Sequence, residues 1–337
     1  MKIAVIGAGS IGGLVGAKLA LAGEDLTFIA RGANLAAIRQ DGITLLAADG
    51  SRQVVRQARA TDDYAEAGPQ DVVILAMKAH QVEAVVDELP QLIGPQTLVV
   101  PMQNGIPFWY FNDHGGALAG TPVRSVDPTG RIARALPAKQ LIGCVVYPAA
   151  ELVAPGVVRH IEGDRFPLGE LNGSTSERVT HLSQCFSQAG FKAPVLDNIR
   201  AELWLKLWGN LSFNPISCLS HATLVDICQT PLSRELAANM MREAQAVAHK
   251  LGIEFRVSLD KRIAGAEKVG KHKTSMLQDV EAGRAPEIDA LVGSVVELAR
   301  LTDTPTPHID TVYALVKLLA RGMDEQRGRV RLLPLAA

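Results

Sequence analysis

Cysteine, aromatic side chains and net charge are all scarce in this chain of 337 residues. The four cysteines, Cys144, Cys185, Cys218 and Cys228, form no CxxC pair and no metal-ligand spacing. That argues against a disulfide framework or a metal centre and for reduced, buried thiols in a cytoplasmic protein. A net charge of -1 supplies no long-range attraction for nucleic acid or an anionic membrane. No apolar run reaches the ~18 residues of a membrane-spanning helix. The apolar start at residues 2–6 (KIAVI) runs straight into glycines, without the h-region of a signal peptide. What remains is 47% hydrophobic and 20% charged, a globular composition with enough chain for two ordinary domains.

Apolar runs at 2–6, 26–30, 72–76 and 97–100 read as buried strands, with helical spacing over 11–22 and 79–93. Strand–helix alternation at this spacing predicts a doubly wound parallel α/β sheet covered by helices. A hairpin fits 43–47 with 53–58, and further strands fit 140–147, 156–161 and 192–196. Beyond residue 197 the pattern turns to amphipathic helices at 199–213, 231–251, 257–281, 286–301 and 308–323. The division expected is therefore a Rossmann-type domain over 1–197 and an all-helical domain over 198–337, with the cleft between them as the default ligand site. The apolar helices of 231–251 and 286–323 fit packing within the domain or across a homodimer interface equally well. The tail from Arg327 reads as a frayed end.

The first strand ends in Gly7-Ala8-Gly9-Ser10-Ile11-Gly12. A GxGxxG hexamer alone is weak, but here it follows a strand and opens a helix, as dinucleotide binding requires. Gly7 allows the tight turn, Gly9 lets backbone approach a pyrophosphate, and Gly12 lets the helix pack on the strand. At the end of the second strand an acid would bind a ribose 2′-hydroxyl. Arg31 stands there instead, and a guanidinium matches a 2′-phosphate, so NADPH is the expected cofactor. Lys78 and Asn104 follow the third and fourth strands, where Lys78 is a candidate for cofactor phosphate and Asn104 for nicotinamide ribose or substrate. Each is equally well an ordinary loop residue.

In the second half Lys206, Asn210 and Asn214 are spaced i, i+4, i+8 on one helical face among Trp, Leu and Phe. The row is either a solvated stripe or a polar cleft. Asparagines are poor helix formers and unusual in a solvated stripe, which favours the cleft. Reducing a ketone requires a proton donor, a task lysine performs when desolvation and nearby cations lower its pKa. Pro215 is expected to break or kink the helix at Asn214. A second polar cluster offers Ser275, as carboxylate ligand or as helix N-cap, and Glu287, as a partner for a substrate hydroxyl or for Lys206.

Taken together, the N-terminal GxGxxG, Arg31, Met77-Lys78, Gln103-Asn104-Gly105, the Lys206/Asn210/Asn214 helix, and Ser275-Met276-Leu277-Gln278-Asp279 with Glu287 and Ile288-Asp289 resemble the ketopantoate reductase family. The resemblance spans nearly the whole chain. It implies NADPH-dependent reduction of ketopantoate, a 2-keto acid, to pantoate on the route to pantothenate. It also implies a helical domain like that of 6-phosphogluconate dehydrogenases. By that likeness Lys206 is the general acid assisted by Glu287. Asn104, Asn210, Asn214 and Ser275 hold substrate, while Arg31 and Lys78 meet the cofactor.

One region departs from the pattern, the consecutive aromatics Phe108-Trp109-Tyr110-Phe111 and the segment 112–139 that follows. They fit a reshaped substrate pocket or a hydrophobic plug under a long loop. The alternatives to ketopantoate reduction are another 2-keto acid, opine-type dehydrogenation, and a non-catalytic NADPH sensor. A sensor has no use for a proton donor.

Overall fold

Every residue of the first apolar run after Lys2 is buried, which fits a strand covered on both faces, and Lys2–Ile6 (β1) forms the centre of a parallel sheet. The computed structural model describes residues 1–47 and 49–333. They fall into two units, one of 1–103, 108–122 and 129–199, the other of 104–107, 123–128 and 200 onward.

In the first unit β1 leads into α1 (Ser10–Leu21), β2 (Asp25–Ile29), α2 (Gly32–Asp41), β3 (Ile43–Leu46), β4 (Arg52–Val55), β5 (Arg59–Thr61) and α3 (Tyr64–Ala67). Then come β6 (Gln70–Leu75), β7 (Ile93–Pro101), α4 (Arg131–Ala135), β8 (Gly143–Cys144), β9 (Ala149–Ala154), β10 (Val157–Glu162), β11 (Leu168–Gly169) and α5 (Glu177–Gln188). The main sheet runs β5-β2-β1-β6-β7, parallel throughout. Strand order reverses between β1 and β6, the switch point outside whose carboxyl ends such sheets bind ligands. The expected hairpin is present as β3 and β4, but it belongs to a second sheet, β4-β3-β10-β9.

α1 lies between the two sheets, which explains its run of small residues. A Cβ on Gly16 would sit 2.4 Å from the Phe28 ring, and one on Gly13 would sit 2.6 Å from Val158. The segment 79–93 differs from expectation. Instead of a helix it makes three short 3₁₀ turns at Ala79–Gln81, Glu83–Val85 and Leu89–Gln91 before β7 begins at Ile93. Pro90, inside the third turn, limits continuation.

The aromatic run packs as expected of a plug. Phe108, Trp109, Tyr110 and Phe111 are all buried in the first unit, and Tyr110 meets Phe111 edge to face at 4.9 Å between ring centroids. Part of the segment that follows joins the helical unit, where the Glu297 carboxylate accepts the backbone N–H groups of Arg124 and Ser125, each at 2.7 Å.

The helical unit comprises α6 (Ile199–Ser220), α7 (Leu224–Gln229), α8 (Pro231–Lys250), α9 (Leu259–Lys268), α10 (Ser275–Glu281), α11 (Ser294–Leu301) and α12 (Pro307–Glu325). Two expectations fail here. The helix expected over 257–281 is two, interrupted where Gly270 takes φ +79°, a conformation glycine adopts freely. Nor does Pro215 break α6, which continues to Ser220. Residues 211–218 are all buried, and this packing outweighs one lost backbone hydrogen bond. No helix among the described residues is long and apolar enough to cross a membrane. Residues 327–333 carry no helix or strand, although Val330 N–H reaches the Val280 carbonyl at 3.4 Å, and 334–337 lie outside the described residues.

All four cysteines are free and buried. Burial pushes the Cys185 and Cys218 thiols up to about 12 from 9.0, with the Glu24 carboxylate adding to the effect at Cys185. A thiol that stays protonated in the fold but ionises in the unfolded chain contributes full stability below its unfolded pKa and loses it as pH rises above that value. The urea midpoint is therefore expected to fall as pH rises from about 9 toward about 12. Cys218→Ala should flatten that slope relative to wild type, and an unchanged slope would contradict the buried thiol as its cause.

Candidate active site

The glycine turn of the first unit is shaped by what surrounds each glycine. Gly7 has φ +97°, and a Cβ there would lie 3.1 Å from Met77 N at the end of β6. A Cβ on Gly12 would lie 2.0 Å from the Gly7 carbonyl and 2.8 Å from Ala76 Cβ. Gly9 is the opposite case, where a Cβ would meet nothing within 4 Å, so its surroundings are open. No side chain caps α1 and its first turn carries no acid. The N–H groups of Ser10, Ile11 and Gly12 find no acceptor among the described residues. Unsatisfied N–H groups beside open space at a helix N-terminus form a receptor for phosphate.

Ala8 is buried, and its carbonyl accepts from the Asn34 amide, whose oxygen receives Gly156 N–H at 2.7 Å. Asn34 thereby ties the glycine turn to α2 and to the β9–β10 turn. Arg31 immediately precedes α2, exposed, and its side chain makes no ion pair or hydrogen bond among the described residues. The cation at the end of β2 is thus uncommitted, which fits a 2′-phosphate. Lys78 is half-buried directly after the β6 turn. Gln103, to which the sequence assigned no role, clamps that turn by donating to the carbonyls of Leu75 at 2.7 Å and Met77 at 3.0 Å. Only the loop position hinted at this.

The chain enters the helical unit at Asn104. There the Lys206 ammonium donates to Asn104 Oδ1 at 2.6 Å, so two residues 102 positions apart meet. Asn210 is half-buried and Asn214 only 6% exposed, yet neither amide makes a hydrogen bond among the described residues. Buried amides without partners are costly. Asn214 is such an amide, and with half-buried Lys206 and Asn210 it forms a face more buried than a solvated stripe. One turn earlier on this face is Glu202, 1% exposed and bonded by Arg256 at 2.6 Å. Its spacing of four from Lys206 was visible in the sequence, but its burial was not.

The loop that carries Asn104 rests on an irregular helix start. The helix expected over 286–301 opens as a π-turn, Asp289–Gly293, before α11. Ser294 N–H bonds back to the Asp289 carbonyl, one residue further than an α-helix would reach. The Ala290 carbonyl is released and accepts Ile106 N–H at 3.0 Å and the Ser294 hydroxyl at 2.7 Å. Gly105 has φ +89°, and a Cβ there would fall 1.9 Å from that same carbonyl oxygen. Glu287 is half-buried just before the π-turn, and its carbonyl accepts Leu291 N–H at 3.2 Å. Ser275 is exposed as the first residue of α10. It is not the N-cap. Thr274 is, its hydroxyl accepting Leu277 N–H at 3.3 Å.

A Rossmann unit with an open phosphate receptor, followed by a helical unit that aligns a half-buried ammonium with two uncommitted amides, defines a two-domain oxidoreductase of the dinucleotide-dependent class. Comparison with known proteins makes this particular. The pattern of ketopantoate reductase PanE/ApbA matches residues 3–173, and that of ketopantoate reductase PanE/ApbA C terminal matches 198–320. The chain belongs to the ketopantoate reductase family.

It is 53% identical over 321 residues to a 2-dehydropantoate 2-reductase of Mesorhizobium japonicum, covering 95% of this chain and 98% of that one. A crystal structure from Ralstonia solanacearum MolK2, assigned as a ketopantoate reductase, superposes with TM-score 0.91 at 42% identity, covering 96% and 98%. The 2-dehydropantoate 2-reductase of Methylococcus capsulatus gives TM-score 0.81 at 30% identity over 96% and 98%.

The glycines separate by substitution. Gly12→Ala forces a methyl onto backbone and is expected to cost about 1–3 kcal/mol of stability. Gly9→Ala should leave the denaturation midpoint in place and weaken dinucleotide binding, as read by fluorescence titration. Equal stability loss in both variants would contradict the roles assigned to them.

Proposed function

We propose that the protein reduces ketopantoate to pantoate with NADPH; its Mesorhizobium relative carries the name 2-dehydropantoate 2-reductase. The observation that carries this is the Lys206 ammonium held at 2.6 Å by Asn104 Oδ1, in line with the uncommitted amides of Asn210 and Asn214. When bound, NADPH supplies a hydride to the keto carbon. The chain's own residues do the rest. The N-terminus of α1, with Gly7, Ala8, Gly9, Ser10, Ile11 and Gly12, takes the pyrophosphate, and Arg31 takes the 2′-phosphate. Lys78 adds a cation near the cofactor phosphates.

Lys206 donates a proton to the C2 oxygen as negative charge develops there. The Asn104 carbonyl fixes the amine without neutralising it, since an amide oxygen accepts a hydrogen bond but carries no charge. Asn210 and Asn214 offer donors and acceptors to a hydroxyl or carbonyl. Ser275, exposed and not engaged in capping, is assigned to the substrate carboxylate, and Glu287 to assisting Lys206. Pantoate formation places the activity in pantothenate and coenzyme A synthesis, a cytoplasmic route.

NADPH oxidation across a panel of 2-keto acids is expected to rank ketopantoate first, and a better substrate in the panel would replace it. Lys206→Ala should lower kcat by at least about 100-fold with little change in NADPH binding; unchanged turnover would remove Lys206 from catalysis. Arg31→Ala should raise KM for NADPH far more than KM for NADH, and an equal rise would contradict 2′-phosphate recognition.

A further inference from the structure

The π-turn at Asp289–Gly293 is held from outside by α12. The Tyr313 hydroxyl donates to Asp289 Oδ1 at 2.6 Å, and Lys317 pairs with the same carboxylate at 3.0 Å. The Tyr313 ring lies against the other end of the turn, where a Cβ on Gly293 would fall 2.8 Å from its hydroxyl oxygen. Tyr313 thus touches both ends of a five-residue turn. Burial raises its pKa, and the Asp289 hydrogen bond raises it further, so the phenol remains a donor at working pH.

The consequence runs through the backbone. A turn that makes its closing bond to Asp289 leaves the Ala290 carbonyl to hold Ile106 N–H. That bond, with Gly105 pressed on the same carbonyl, sets where Asn104 stands, and Asn104 holds the Lys206 ammonium. Regular α-helical geometry would direct Ser294 N–H to Ala290 instead, and the loop would lose its anchor.

We propose that Tyr313 is a positioning residue for the reaction, keeping the π-turn in the register that holds Asn104 against Lys206. The inference rests on Lys206 being the proton donor. Tyr313 itself touches neither substrate nor cofactor in this scheme.

Tyr313→Phe keeps the ring against Gly293 and removes only the hydroxyl. It is expected to lower kcat about 10-fold with KM for NADPH unchanged, because small misplacements of a reacting group cost rate. Lys317→Met removes an exposed ion pair to the same carboxylate and should change kcat less than about 2-fold. In an Asn104→Ala background Tyr313→Phe should add no further loss, since both act on the same contact. Labelling of Lys206 by an amine-reactive reagent (trinitrobenzenesulfonate), followed by peptide mass spectrometry, should accelerate in Tyr313→Phe and Asn104→Ala alike.

Independent, multiplying effects of the two substitutions would overturn the inference, as would unaltered Lys206 labelling in Tyr313→Phe. So would an equal kcat loss in Lys317→Met. Lys206→Ala, run alongside, separates the failures. If it retains turnover, the assignment of Lys206 falls; if it is inactive while the Tyr313 and Asn104 effects multiply, only the role of Tyr313 falls.

Discussion

The hydrogen bond from Lys206 Nζ to Asn104 Oδ1 is the contact on which the proposed site depends. It joins a loop that leaves a parallel sheet to the middle of a buried helix. Each side is over-determined. Gly105 and the Ala290 carbonyl fix the loop. Trp204, Trp208 and Leu211, all fully buried, fix the helix, with Trp208 Nε1 donating to the Met241 carbonyl at 2.6 Å. A charged amine in such surroundings needs polar partners, and the neutral Asn104 amide is one of them.

The first unit solves a different problem, holding backbone N–H groups open toward an anion. Tight glycine packing at positions 7 and 12 brings α1 close to the sheet, whereas Gly9 leaves space where a phosphate would approach. Gln103 and Asn34 then lock the neighbouring turns through the carbonyls of Leu75, Met77 and Ala8. The proposed binding and proton-donating residues thus lie on separate pieces of chain, each held by its own set of contacts.

Much of this was legible in the sequence, because periodic burial and glycine spacing are local signals. Strands β1, β2, β6 and β7, the glycine turn and the i, i+4, i+8 polar row can be read within windows of a dozen residues. What escaped depends on tertiary contact. The 79–93 segment has helical spacing but folds as 3₁₀ turns, and α6 passes through Pro215 because its surroundings are buried. The π-turn leaves no compositional trace, so nothing in the sequence points to Ala290. Thr274 and Ser275 are adjacent hydroxyls, and only geometry distinguishes the cap from its neighbour. The aromatic run at 108–111 was open between pocket and plug, and its burial fits the plug.

If the placement of Asn104 by the loop beneath it governs proton donation, the most direct measurement is turnover of Gly105→Ala. The added methyl would fall 1.9 Å from the Ala290 oxygen at φ +89°, so the loop must shift while the glycine turn of the first unit is untouched. NADPH affinity is then expected to stay close to wild type while kcat falls at least about 10-fold. Wild-type kcat in a folded Gly105→Ala protein would contradict that dependence.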